Sequence, residues 1–161
     1  MSQTTAPRIN AVEGDDGLIA ESFGPWDAGT GVAEGQIFVG RFVAAGTGGQ
    51  QVKLPAAATD ITGGAARGFA VKRQSRASKD DGLAPNFADK EALNYLRKGW
   101  VWTRAEDAVT KDAPVFVRHA VGNFGQVRSN ADTANASQLP GAYFRSSAGA
   151  GELVLVELNL P

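Results

Sequence analysis

The stretch from Ala92 to Ala120 constrains the fold more than any other part of the chain. It runs Ala-Leu-Asn-Tyr-Leu-Arg-Lys-Gly-Trp-Val-Trp-Thr-Arg, then through a polar connection from Arg104 to Ala113, then Pro-Val-Phe-Val-Arg-His-Ala. Aromatic and β-branched residues at this density suit a pleated, half-buried surface. Trp100 and Trp102 are two residues apart, so on a strand they project from one face. Gly99 interrupts the first run as a bulge or bend would. Pro114 opens the second run, where a strand tolerates proline. Asp89 to Leu96 holds good helix formers, and Asp89 fits a helix cap. That segment is short and runs straight into Trp-Val-Trp, so we expect strand from Ala92 onward.

The rest of the chain supports the same reading. Its 20 glycines fall mostly in clusters, such as Gly46 with Gly48 and Gly49, Gly63-Gly64, and Gly149 with Gly151. Clustered glycine between short apolar runs means many turns and few helices. Expected strands are Ile37–Val43 with a bulge or a close backbone approach at Gly40, Gln51–Leu54, Gly68–Gln74, Ala142–Arg145 and Leu153–Leu160. The last is nearly continuous in apolar residues, as a central strand covered on both faces would be. Residues 29–35, 55–64, 80–89 and 129–137 read as flexible segments or loops. Short strands at this spacing predict an all-β fold: a small antiparallel β-sandwich or barrel, jelly-roll-like, with glycine-rich loops. Residues 1–11 are polar, contain Pro7, and read as an extended N-terminal arm. Residues 12–161 then make a single β domain.

A search for chemistry finds little. There is no cysteine, which removes disulfides, thiol catalysis and thiolate-bound metals. His119 is the only histidine, so zinc sites are excluded, and no Gly-x-Ser-x-Gly elbow accompanies it. Asp15-Asp16 lacks the register of a calcium loop and reads as a solvated turn. Glu106 and Asp107 are sequence neighbours, pointing to opposite faces of a strand, and are better explained as turn chemistry. Lys72, Arg73, Arg76 and Lys79 make a basic run cancelled in part by Asp80 and Asp81; a solvated loop accounts for it. Asn135-Ala-Ser137 fits a glycosylation acceptor, relevant only to a secreted chain. No phosphate-binding loop is present. With a net charge of −1, nothing favours a nucleic-acid partner, and no apolar run approaches the ~18 residues of a membrane span. No metal or cofactor is expected. A chain of this kind acts through a surface.

Several segments together resemble the structural cement, or capsid decoration, proteins of tailed bacteriophages. They are Leu96-Arg-Lys-Gly-Trp-Val-Trp, then Glu-Asp-Ala-Val-Thr-Lys-Asp-Ala-Pro-Val-Phe-Val-Arg118, then Ser147 to Pro161, with Gly40-Arg-Phe-Val43 and Val52 to Asp60 in the same order. The resemblance runs from about Val12 to Pro161. One departure is Ala88-Asp-Lys-Glu-Ala92, where a glycine-aspartate turn is expected. The resemblance implies a non-enzymatic virion protein, made in the bacterial host cytoplasm and placed on the outer surface of the phage head. It implies the major capsid protein as partner and self-association as a homodimer or homotrimer. The arm residues Pro7, Arg8 and Ile9 become capsid-contact candidates, through strand addition to a capsid edge. Trp26, Trp100 and Trp102 become candidates for oligomer or capsid contacts, because aromatics are enriched at interface cores. Core packing is the simpler role for the Trp100/Trp102 pair. The competing readings are a carbohydrate- or receptor-binding β-domain, marked by an exposed aromatic platform beside acids and amides, and a small hydrolase around His119.

Overall fold

A computed structural model describes residues 16–20, 24–72 and 86–161. The strands are β1 Asp27–Ala33, β2 Ile37–Phe38, β3 Phe42–Ala45, β4 Gln51–Lys53, β5 Ala66–Val71, β6 Asn86–Phe87, β7 Ala92–Arg104, β8 Pro114–Arg118, β9 Val127–Arg128, β10 Ala136–Phe144 and β11 Leu153–Asn159. One short helix, α1 Thr59–Thr62, lies in the expected 55–64 loop. The all-β expectation is met.

Strand β7 is the spine. Its first half pairs with β1 on one edge and β5 on the other, so Leu96 faces both Ala28 and Phe69. Its second half pairs with β11, while Leu18–Ala20 run along the opposite edge, bonding Trp100 and Trp102. The main sheet has nine strands in the order β1-β4-β3-β5-β7-β11-β10-β8-β9, and β2 pairs with β6 separately. Because β1 pairs with β7 as well as β4, the strands β1, β4, β3, β5 and β7 close a ring. A bridge from Ala105 to Val127 brings β9 back to the end of β7, so the other half curls as well. Closure leaves few open edges, a barrel's usual protection against stray pairing. Among the described strands the β1–β4 pairing is parallel, a departure from the antiparallel expectation.

Two apolar clusters fill this frame. One gathers Phe42, Phe69, Leu96, Val101, Val117, Phe144 and Val156; the other gathers Ile37, Val43, Val52, Ala70, Phe87 and Leu93. Alternation along β3 and β5 sends Phe42 and Phe69 to the first cluster, Val43 and Ala70 to the second. Phe42 and Phe69 are opposite each other in the ladder and meet edge to face at 5.6 Å. Burying each contributes about 1.5–3 kcal/mol.

The structure alters three local expectations. The Ile37–Val43 strand is split: the chain turns at Val39-Gly40 and passes from the small sheet into the large one. The glycine-rich residues 29–33 are strand, part of β1. Gly29 is there because the Tyr95 ring crosses β1, and a Cβ would meet it at 2.5 Å. Strand β10 begins at Ala136, inside the expected 129–137 loop. At the family departure, Asp89-Lys90 form a turn with Lys90 at φ 66°. The Asp89 carboxylate accepts from the Gly35 N–H, so its side chain ties the turn to the end of β1. Strand follows from Ala92, as expected.

Candidate interaction surfaces

Alternation on β7 buries Val101 and Thr103 in the core and leaves Trp100 and Trp102 half-buried on the opposite face. The two indoles share that face, as their spacing predicts. Across the ladder, Trp102 faces Leu155, and Trp100 faces Glu157, which in turn faces Tyr143. Arg145 donates to Glu157 and to Asp112 and lies over the Tyr143 ring at 5.5 Å. The outer face of β7, β11 and β10 therefore carries Trp100, Trp102, Glu157, Tyr143 and Arg145, together with Leu155, which is buried. Trp26 is 48% exposed and sits against Gly99. An open groove beside it is lined by Asp27, Lys98, Trp100, Glu157 and Asn159. All three tryptophans thus border one side of the molecule. Tyr143 and Arg145 belong to the same surface and were not singled out in the sequence, although the alternation of Ala142-Tyr-Phe-Arg145 carried the signal. Pro7, Arg8 and Ile9 lie outside the described residues, as do Arg73, Arg76 and Lys79 of the basic run.

A second surface rests on buried charge. Arg118 is 6% exposed and donates to Glu106 at 2.7 and 2.8 Å and to Asp132 at 2.7 Å. Arg128 lies within 3.4 Å of Glu106, Asp107 and Asp132. Asp107 also accepts from the backbone N–H and hydroxyl of Ser129. Glu106 and Asp107 are therefore not merely turn residues; they hold two arginines from β8 and β9. The Arg118 guanidinium also donates to the carbonyls of Ala120 and Val121. Val121 has φ 50° and is 74% exposed. A β-branched residue in that region is strained by about 1–2 kcal/mol. The network fixes a strained apolar tip at the end of the β8–β9 loop.

The Arg118 hydrogen bond holds the Asp132 carboxyl below the ordinary aspartate value of 3.8, with the Arg128 charge assisting. A depressed folded-state pKa contributes stability above the unfolded value, and that contribution is lost as pH falls through the folded value. Wild-type stability should therefore decline below about pH 4, and Asp132→Asn should make the acid decline shallower. Urea midpoints measured from pH 2.5 to 7 check this; parallel curves would contradict it.

His119 is buried, and its Nε2 lies 3.0 Å from the Ser137 hydroxyl. Its backbone N–H donates to Asn135. Neither residue lines the groove at Trp26. Among the described residues no group of three or more acidic or imidazole side chains is placed to hold a metal.

A family model described as "Structural cement protein (E217 gp24/Pam3 gp6)" matches residues 8–159. Among solved structures, a chain from "The capsid of Myoviridae Phage XM1" superposes with a TM-score of 0.71 at 18% identity, covering 99% of this chain and 98% of that one. A second, from "The crystal structure of head fiber gp8.5 N base in bacteriophage phi29", superposes at 0.48 with 13% identity, covering 83% of this chain and 94% of that one. Comparison with curated proteins finds no match. The family match spans nearly the whole chain, and the XM1 likeness shows the same fold over nearly the full length of both chains. The chain belongs to the phage structural cement protein family.

Proposed function

We propose that this protein decorates the outside of an expanded icosahedral phage head, bridges neighbouring major capsid proteins and stiffens the shell against packaged DNA. The observation that carries this reading is membership of the cement family across residues 8–159. The role is structural and non-enzymatic and needs no cofactor. Many copies, each touching more than one subunit, gain avidity without a strong single contact. The face bearing Trp26, Trp100, Trp102 and Tyr143 is our candidate for shell or self contact, as a homodimer or homotrimer. The arm at Pro7, Arg8 and Ile9 is our candidate for a second attachment. Incubating the protein with expanded, undecorated shells should give saturation at a fixed ratio to capsid subunit and a higher shell melting temperature. Failure to bind shells of a matched phage would overturn the proposal.

The groove at Trp26 favours a second reading. An exposed indole beside Asp27, Glu157 and Asn159 suits stacking and hydrogen bonding to a sugar ring. Glycan binding lost in Trp26→Ala, with shell binding retained, would support it.

A further inference from the structure

We infer that the outer edge of β1 is a strand-acceptor site that takes an extended segment of the shell protein. This rests on the cement reading and adds the mode of attachment. The argument begins with ladder parity. Ala33 donates its N–H to the Glu91 carbonyl just before β7, so odd residues of β1 turn their backbone groups toward β7. Val32 donates instead to Gln50, so even residues turn toward β4. Strand β4 begins at Gln51, and the only β1 residues it pairs with are Val32 and Ala33. The next even residues, Thr30 and Ala28, turn their N–H and C=O groups to the same side, beyond the end of β4. Among the described residues no strand pairs there, and both residues are exposed.

Such an edge is unusual in this fold, where ring closure covers the others nearby. Natural edges are blunted by lysine, proline or a bulge. Ala28-Gly-Thr-Gly31 carries no lysine or proline, and the one register shift of β1 lies at its start, between Asp27 and Ala28, leaving Thr30 beyond it. An added strand would continue the line of β4 and gain up to four backbone hydrogen bonds from Ala28 and Thr30.

Side chains define the occupant further. A groove beside this edge is lined by Thr30, Gly49, Gln50, Arg67 and Tyr95. Arg67 also lines the adjoining groove with Arg97. Arg67 bonds only carbonyls, those of Gly64 and Ala66 at 2.9 and 3.2 Å, so no carboxylate neutralises it among the described residues. The occupant is thus an extended segment with small residues against the glycines and an acidic side chain reaching Arg67.

Two variants test the two halves of the claim. Thr30→Pro removes the outward N–H and an exposed hydroxyl bond to Asn94, while leaving the backbone ladder bonds of β1 and β7, which come from odd residues. Arg67→Ala removes the charge. With the full chain and expanded shells, we expect Thr30→Pro to weaken binding at least tenfold at unchanged melting temperature. Arg67→Ala should weaken it severalfold and flatten its salt dependence. Independently of any variant, the Ala28 and Thr30 amides should exchange fast in the free wild-type protein and become protected on shells. Wild-type binding without that protection overturns the edge site and leaves the cement reading standing. Absence of wild-type binding overturns both. If Thr30→Pro proves unfolded, the exchange measurement decides.

Discussion

Arg118→Ala should lower the unfolding free energy by about 2–4 kcal/mol at neutral pH, because it removes the buried cation from a partly buried ion network. The carboxylates of Glu106 and Asp132 lose their closest partner, and Arg128 alone serves both. Hydrogen bonding to Glu106 raises the Arg118 pKa further, so the guanidinium stays charged across the accessible range. The same substitution frees the Ala120 and Val121 carbonyls, and with them the strained tip of the β8–β9 loop. Arg118→Lys should recover part of the loss, since an ammonium keeps the charge without the guanidinium's planar fork. Chemical denaturation of the variants measures the effect. A loss for Arg118→Ala of under 1 kcal/mol would mean that the network is no stronger than a surface ion pair.

Gly68→Ala should be as damaging for a different reason. Gly68 has φ 145°, and a Cβ there would fall onto the carbonyl oxygen of Leu96. Neither can give, because Leu96 is buried and locked between β5 and β1. The register of β3 against β5 shifts at this point, so Gly68 sits at the bulge that lets β5 reach β7. Strain plus a backbone clash should cost about 4 kcal/mol or more and open the ring. Gly64→Ala is the control: nothing lies within 4 Å of its Cβ, and we expect a change within about 0.5 kcal/mol. Denaturant unfolding of both variants makes the comparison.

Legibility in the sequence followed residue chemistry. Strands β7, β8 and β11 were readable because Trp, Val, Phe and Leu recur there with strand alternation. Strand β1 was not, because its glycines carry no pattern; they are placed by Tyr95 and Val52, which are distant in sequence. Gly40 reads as a bulge or a close backbone approach; the approach is there, against Asp16 and Gly17, but nothing local says that the chain also changes sheet. The ion network was invisible for a similar reason. Glu106 and Asp107 flank one turn, Arg118 and Arg128 end two strands, and Asp132 lies in a loop. Only the β8–β9 pairing and the Ala105–Val127 bridge bring them together. The tryptophan spacing predicted a shared face correctly, but which face it was depended on Val101 and Thr103 taking the core. The family resemblance was readable because several weak motifs occur in a fixed order.

The most direct test of the central claim is electron cryomicroscopy of expanded shells with and without the added protein. We predict difference density on the outer surface at fixed lattice positions, each copy touching at least two capsid subunits, with the edge of β1 against an extended capsid segment. Density inside the shell, at no fixed position, or on a single subunit would contradict the account.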